Sequence, residues 1–457
     1  MIDLALVRGE IAVIGLGRSG IAAAQLLARE GGRVYASDAG SSAPVAQAAA
    51  ELRAAGIAAE CGAHDLARIA AASLVVASPG VPPEAPPLLA ARAAGVPVVG
   101  ELEVALRSLR GVPYIAITGT NGKSTVTALA AHLLQALGHR AVAAGNIGLA
   151  LSDVALHGER PEWIALECSS FQLHDTPGLA PAVGVLTNLS PDHLDRYGSV
   201  EAYYADKALL FRNATPASRW VVNADEPRSR DLGLTADGTR WAFSRRDRHA
   251  SAHYDAAMDA LVLFREPLVP RAALSLLGWH NVENMLAALL AVMVADDAHQ
   301  SPAARSTLAE AARTFRGLPH RLELVGDIAG VRWINDSKAT NMMSARVAIE
   351  AMTQPTVVLL GGRHKGEPYT SLVAPLQHHA KLVIAYGEAE ALIAGDLEGH
   401  VPLVRGGSSF DDIMQRARAA AGPGDAVLLA PACSSFDMFT NYEARGEAFR
   451  RLARQAS

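Results

Sequence analysis

Cysteine is scarce in this chain. The three copies among 457 residues, Cys61, Cys168 and Cys433, are odd in number, far apart and without CxxC or Cys/His spacing suited to zinc. That excludes a disulfide framework and points to a reducing compartment, so a cytoplasmic location is expected. Long apolar runs are missing too: none approaches the ~20 residues of a membrane span, and no signal-peptide pattern opens the sequence. No membrane partner is expected. Positive charge is not in excess, since 41 Lys and Arg stand against 46 Asp and Glu for a formal charge of −5. No basic run is dense enough to follow a nucleic-acid backbone, so nucleic acid is not an expected partner. With no tandem repeat and no low-complexity tail, and with half the residues apolar, the composition fits a globular protein of two to four domains.

What is present begins with Tyr114-Ile-Ala-Ile-Thr-Gly-Thr-Asn-Gly-Lys-Ser-Thr125, where a strand-like apolar run empties into a Gly-rich turn carrying a Lys and hydroxyls. After such a strand, the Gly119 to Gly122 turn can aim backbone N–H groups at an anion. The helix opening near Ser124 adds its positive dipole end. Lys123 suits the β- and γ-phosphates of a nucleotide, and the Ser124 or Thr125 hydroxyl suits Mg²⁺. The loop is a variant of GxxxxGK[ST], because Ile117 stands where the first Gly is usual.

Around this loop the chain alternates strand and helix signals. Ile11–Ile14, Val34–Ser37 and Leu74–Ala77 read as strands with a helix at Ile21–Arg29, a Rossmann-like opening. A Pro-rich segment at Val81–Pro87 and a Gly-Val-Pro at Gly111–Pro113 set a boundary near Glu101. Strands at Trp163–Leu166, Val183–Leu186 and Trp220–Val222, with helices at Val126–Leu137, Val200–Asn213 and Gly278–Ala295, form a second layer. Beyond Gly317-Leu-Pro319, strands at Val331–Ile334, Thr356–Leu360, Leu382–Ala385 and Ala426–Leu429 alternate with helices. The expected fold is therefore α/β in three domains: Rossmann-like at 1–101, a central phosphate-loop ATPase domain at 102–317, and Rossmann-like again at 318–457.

Other residue groups fall at strand ends. Gly15-Leu-Gly17-Arg-Ser-Gly20 is a GxGxxG, and Asp38 follows at the end of the next strand, a pattern fitting NAD or any other nucleotide diphosphate. Glu167, ending a strand beside the phosphate loop, suits Mg²⁺. Asp192-His193-Leu-Asp195 is a second candidate metal cluster. His280-Asn281 opens a long helix and could either cap it or meet a nucleotide. Arg321, the run Asn335 to Asn341, Gly361 to Lys365 and Ser434-Ser435 gather cations and small donors near strand ends, as an anionic substrate requires.

Thr118-Gly-Thr-Asn-Gly-Lys-Ser-Thr125 resembles the ATP loop of the Mur ligases and their folylpolyglutamate synthase relatives. The resemblance extends through Gly145-Asn-Ile-Gly148, Leu166-Glu-Cys-Ser-Ser-Phe-Gln-Leu173, Asp192-His-Leu-Asp-Arg-Tyr197, Gly317-Leu-Pro-His-Arg321, Trp333-Ile-Asn-Asp-Ser-Lys-Ala-Thr-Asn341 and Pro431-Ala-Cys-Ser-Ser-Phe-Asp437. Within that family it is similar to the branch that adds glutamate. It implies ATP-dependent amide formation through an acyl phosphate, in peptidoglycan precursor synthesis, with UDP-N-acetylmuramoyl-L-alanine and glutamate, D expected, as small-molecule substrates of a monomer.

By the same resemblance, Gly17, Arg18, Ser19, Asp38 and Gly80 would contact the UDP, while Asn146, Ser169 and His193 flank the muramoyl-alanine end. ATP would lie against Thr120, Asn121, Gly122, Lys123, Ser124 and Thr125, with Asn281, Arg321 and Asp336. Glutamate would be held by Lys338, Thr340, Lys365, Ser435, Phe436 and Tyr442. Two Mg²⁺ sites are implied, from Ser124, Glu167, His193 and Lys207, the last as a carbamate; without the family it reads as a helix-surface lysine. The catalytic set would be Lys123, His193, Lys207 and Arg321. Ala430 and Ser434 depart from the family's usual Ser and Ala beside the amino-acid pocket, which leaves an L-glutamate-adding relative as an alternative. A dehydrogenase using the first motif would leave Lys123 without work, and a nucleotide-sensing protein would bind ATP without turnover.

Overall fold

The computed structural model describes residues 9–192 and 196–455. It divides into a larger unit, running to Arg271 and including Glu283–Arg313, and a smaller one of Ala272–Val282 with the chain from Thr314 onward.

Two sheets make the larger unit. The first holds β1 (Glu10–Ile14), β2 (Arg33–Asp38), β3 (Ala58–Cys61), β4 (Leu74–Ala77) and β5 (Val98–Gly100), ordered β3-β2-β1-β4-β5 and parallel throughout. Strand order reverses between β1 and β4, so the loops after these strands diverge and leave a crevice at their carboxyl ends. Near-continuous apolar runs such as Ile11–Ile14 and Leu74–Ala77 are buried, as expected of parallel strands covered on both faces.

The second sheet holds β6 (Tyr114–Thr118), β7 (Ala141–Gly145), β8 (Trp163–Glu167), β9 (Val183–Leu186), β10 (Arg219–Asn223), β11 (Thr239–Ser244), β12 (Ala252–Asp255), β13 (Ala260–Leu263) and β14 (Glu266–Pro270). Its order is β14-β13-β12-β11-β10-β9-β6-β8-β7, with β6 central between β8 and β9. The strands expected at Trp163, Val183 and Trp220 are all here. The antiparallel β12–β14 extension was not anticipated. The helix expected over Val200–Asn213 stops at Ala208 and tightens into a 3₁₀ turn at Leu209–Phe211.

In the smaller unit lie β15 (Glu323–Ile328), β16 (Val331–Asn335), β17 (Thr356–Gly361), β18 (Ala380–Tyr386), β19 (Leu403–Arg405) and β20 (Ala426–Leu429), ordered β15-β16-β20-β17-β18-β19. Only β15 runs antiparallel. β20 sits between β16 and β17, which brings the loops after these three strands to one edge. Apolar clusters cover both faces of this sheet. Among the described residues no helix is long and apolar enough to cross a membrane.

Candidate active site

The buried strand β6 delivers Thr118 to the turn Gly119–Gly122, and the helix Lys123–Ala136 follows at once. Gly119 (φ 142°) and Gly122 (φ 81°) occupy backbone regions that side chains avoid. A Cβ on them would fall 2.0 Å from Thr187 Oγ1 and 2.3 Å from Asn284 Oδ1, so both glycines are required by space as well. The Thr120 N–H donates to the Asn188 carbonyl (2.9 Å) and the Asn121 N–H to Asn188 Oδ1 (2.8 Å). These two amides are thus held by Asn188 and are not among the N–H groups that the turn can aim at an anion. The helix's first backbone bond runs from Val126 N–H to the Gly122 carbonyl, and the amides before it point out of the helix start. Lys123 Nζ folds back onto the Gly119 (3.0 Å) and Thr120 (2.7 Å) carbonyls. Thr120 Oγ1 donates to the Ser190 carbonyl at 3.0 Å. Sequence reasoning missed Asn188, which no motif marks.

Beside the loop, Glu167 ends β8 and is 2% exposed. Its Oε1 accepts from Asn146 Nδ2 at 2.9 Å, whereas Oε2 is buried with no hydrogen-bond partner among the described residues. A buried carboxylate oxygen left this way is costly unless a cation or donor completes it. Ser124 is buried in the adjoining first helical turn. Lys207 is buried as well, which corrects its reading as a helix-surface lysine; its Nζ donates to Thr118 Oγ1 at 3.0 Å, and that hydroxyl donates to the Cys168 carbonyl at 2.7 Å. Burial, then the charge of Lys123, pushes the Lys207 ammonium well below the ordinary lysine range. His193 and Asp195 lie outside the described residues. Among the described ones no group of three His, Cys, Asp or Glu could hold a metal alone. Glu167 with the Ser124 hydroxyl fits Mg²⁺, which takes few protein oxygens and completes its shell with phosphate and water.

A cavity of about 650 Å³ opens at the carboxyl ends of β1, β2 and β4, lined among others by Gly17, Arg18, Ser19, Asp38, Gly80 and Asn146. It therefore joins all five residues expected around the UDP. The three glycines differ. A Cβ on Gly20 would lie 1.8 Å from the Gly15 carbonyl, so Gly20 lets helix and strand close up, whereas a Cβ on Gly17 would meet nothing within 4 Å and its backbone is open to a ligand. Asp38 accepts from Leu16 N–H at Oδ2 (2.8 Å) and from Gly40 N–H at Oδ1 (2.7 Å). Part of its work is thus to shape the glycine turn. Ser169 caps a short helix through a reciprocal box with Gln172, so its hydroxyl is engaged locally.

Within the smaller unit, Arg321 sits between two left-handed residues, His320 (φ 62°) and Leu322 (φ 41°), a costly backbone of the kind that fixes a functional side chain. Leu322 N–H donates to Asp336 Oδ1 at 3.3 Å, and burial pushes the Asp336 carboxyl up to about 7 against the opposing charge of Arg321. Lys338 Nζ lies 3.8 Å from the Tyr442 ring centroid, and Lys365 Nζ donates to Thr340 Oγ1 at 3.4 Å. Ser435 is buried and Phe436 is 60% exposed beside it. The loops after β16, β17 and β20 are thereby brought together as expected. Asn281, in the first turn of its helix, donates to the Leu277 carbonyl at 2.7 Å. Arg445 was missed. Fully buried, it donates to Ser337 Oγ (3.0 Å), the Ser337 carbonyl (2.9 Å), the Cys433 carbonyl (3.1 Å) and, at 3.4 Å each, the Gly361 and Ser434 carbonyls.

A glycine-turn phosphate loop on the central strand of one sheet, a crevice over a second and a cation-rich loop edge on a third define a multidomain α/β protein of the nucleotide-dependent type. Family models described as Mur ligase MurD-like N-terminal domain, Mur ligase middle domain, and Mur ligase glutamate ligase domain match residues 9–100, 117–292 and 320–433, one for each sheet. A protein of Acidobacterium capsulatum named UDP-N-acetylmuramoylalanine–D-glutamate ligase is 40% identical over 451 residues, covering 97% of this chain and 95% of its own. One of the same name from Anaeromyxobacter dehalogenans is 42% identical, with 97% of each chain covered. The chain belongs to the Mur ligase family. Ligases of this family use ATP, generally with Mg²⁺. The fold agrees with a Thermotoga maritima UDP-N-acetylmuramate–alanine ligase (TM-score 0.61, 20% identity, 98% and 100% covered) and with a Methanothermus fervidus pseudomurein peptide ligase (TM-score 0.57, 17% identity, 98% and 99% covered).

Proposed function

We infer that this chain is an ATP-dependent ligase joining the amine of D-glutamate to the alanyl carboxylate of UDP-N-acetylmuramoyl-L-alanine in peptidoglycan precursor synthesis. The observation that carries this reading is the glycine turn with Lys123 and Ser124 on the strand next to that of Glu167, whose Oε2 is buried without a partner among the described residues, in a chain about 40% identical to named ligases of that reaction over nearly its whole length.

The alanyl carboxylate attacks the γ-phosphorus of ATP, breaking its bond to the β-γ bridging oxygen and leaving ADP and an acyl phosphate. The glutamate amine then adds to the acyl carbon, and the tetrahedral adduct expels phosphate. Two anions must be brought together, so the protein's task is to position and neutralise. Lys123 leaves its carbonyl perches for the phosphates, the amides opening the helix at Lys123 face them, and Arg321 is a further cation for the same task. Mg²⁺ would be held by Ser124 and Glu167 at one site and by His193 with a carbamate on Lys207 at a second, supplying charge neutralisation. Burial disfavours the charged form of Lys207, in the direction of the neutral amine that carbamate formation requires.

Gly17, Arg18, Ser19, Asp38 and Gly80 hold the UDP, with Asn146, Ser169 and His193 toward the muramoyl-alanine end. Thr120 to Thr125, Asn281 and Asp336 hold ATP, and Lys338, Thr340, Lys365, Ser435, Phe436 and Tyr442 hold glutamate. The D form is favoured because the relatives about 40% identical over nearly the whole chain are named for D-glutamate. Domain boundaries at 101 and 317, a monomeric state and a cytoplasmic location complete this reading. The test is phosphate release from ATP, Mg²⁺, UDP-N-acetylmuramoyl-L-alanine and D- or L-glutamate, omitting each in turn. Release that ignores glutamate, or none at all, defeats it. Lys123→Ala should lower turnover by about 10²–10³ with the nucleotide sugar still bound.

A further inference from the structure

The cavity of the first sheet carries a residue that no motif marks. His64 lies in the loop after β3, whose last residue, Cys61, pairs in register with Asp38 at the end of β2. It lines the cavity beside Asp38 and Ala39. In a doubly wound sheet of this kind the diphosphate lies at the glycine turn after β1, and the nucleoside reaches toward the end of β2. That end of the cavity offers few side-chain donors. Ala39 and Gly40 have none, the Gly40 N–H is held by Asp38, and both Asp38 oxygens accept from backbone amides.

His64 supplies what is missing there. Its Nδ1 stands 2.9 Å from Ser37 Oγ. The Ser37 hydroxyl is fully buried and can give its one hydrogen to Nδ1, the arrangement taken here. Nδ1 is then the acceptor of the ring, and Nε2 carries the proton. Burial holds the His64 imidazole below its ordinary value against the pull of Asp38, which favours the uncharged ring.

We propose that His64 is a specificity-determining residue of this cavity, donating from Nε2 to the 4-carbonyl of the pyrimidine base of the nucleotide sugar. The proposal rests on the nucleotide-sugar reading above and adds how the base is recognised. A uracil carbonyl accepts this hydrogen bond, while the amino group that cytosine carries at the equivalent edge cannot. A single Nε2–H gives that discrimination without a charge.

The experiment is calorimetric titration of the full chain with UDP and with CDP, for wild type, His64→Ala and His64→Gln, alongside steady-state KM values. The wild-type chain is expected to prefer UDP, and His64→Ala to weaken UDP about tenfold with little change for CDP. His64→Gln, whose amide keeps a donor, is expected to recover part of the preference. KM for the nucleotide sugar should rise in His64→Ala while KM for ATP does not. An unchanged UDP affinity, or an equal loss for UDP and CDP, overturns the proposal and leaves the nucleotide-sugar reading standing. A wild-type chain that binds neither nucleotide overturns both, and shows it before any variant is made.

Discussion

Lys207 donates its amine to Thr118 Oγ1 at 3.0 Å, tying the helix Val200–Ala208 to the residue from which the phosphate loop springs. The lysine is 1% exposed, so its charged form is disfavoured where it stands. Its folded-state pKa lies below the ~10.4 of an unfolded lysine, so the unfolded chain binds the extra proton between the two values. Stability is therefore lost as pH falls from the unfolded value through the depressed one. Lys207→Met should raise Tm by a few degrees at neutral pH, since Thr118 Oγ1 keeps its Cys168 acceptor, while phosphate release falls steeply. A melting curve and a turnover assay on one preparation check both; an unchanged turnover disposes of the carbamate reading.

The two glycines of the first turn should separate structure from binding. Gly20→Ala forces a methyl into the Gly15 carbonyl and is expected to cost about 2 kcal/mol or more. Gly17→Ala meets nothing, so stability should stay within ~0.5 kcal/mol while UDP affinity drops as the methyl stands in the ligand's approach. Urea unfolding and UDP titration of both variants distinguish the two effects.

Asp336 gives the smaller unit a pH dependence of opposite sign. With a pKa near 7 against ~3.9 unfolded, the folded chain holds this proton more tightly. Its contribution is full below about pH 4 and is lost as pH rises through about 7, amounting to roughly 3 to 5 kcal/mol across that window. Asp336→Asn should flatten this part of the profile, measured by denaturant unfolding at pH 5 and pH 8, because the amide cannot ionise.

Arg445 stitches the Ser337, Gly361 and Cys433–Ser434 loops with one buried guanidinium. Arg445→Met leaves their oxygens without this donor and should cost about 2 to 4 kcal/mol. Arg445→Lys keeps the charge but cannot span three loops. KM for glutamate should then rise by about tenfold, with UDP binding unchanged; equal losses for both ligands would make Arg445 a scaffold residue only.

The sequence alone established much of this. Largely apolar strands, leading into Gly15, Gly119 and Asn335, are legible because strand burial and turn chemistry are local properties. So were Lys123 and Glu167, since a phosphate cradle and its neighbouring acid follow from a few residues in order. The antiparallel β12–β14 extension was not legible, because its short strands gain stability only by pairing along an existing edge. Nor were Asn188, His64 and Arg445, each of which matters through partners far away in the chain: Asn121, Ser37 and Cys433. The burial of Lys207 was not legible in its local sequence for the same reason. Residue type and spacing fix what chemistry a side chain can do, but burial and partners depend on which distant segments fold against it, and that only the tertiary structure decides.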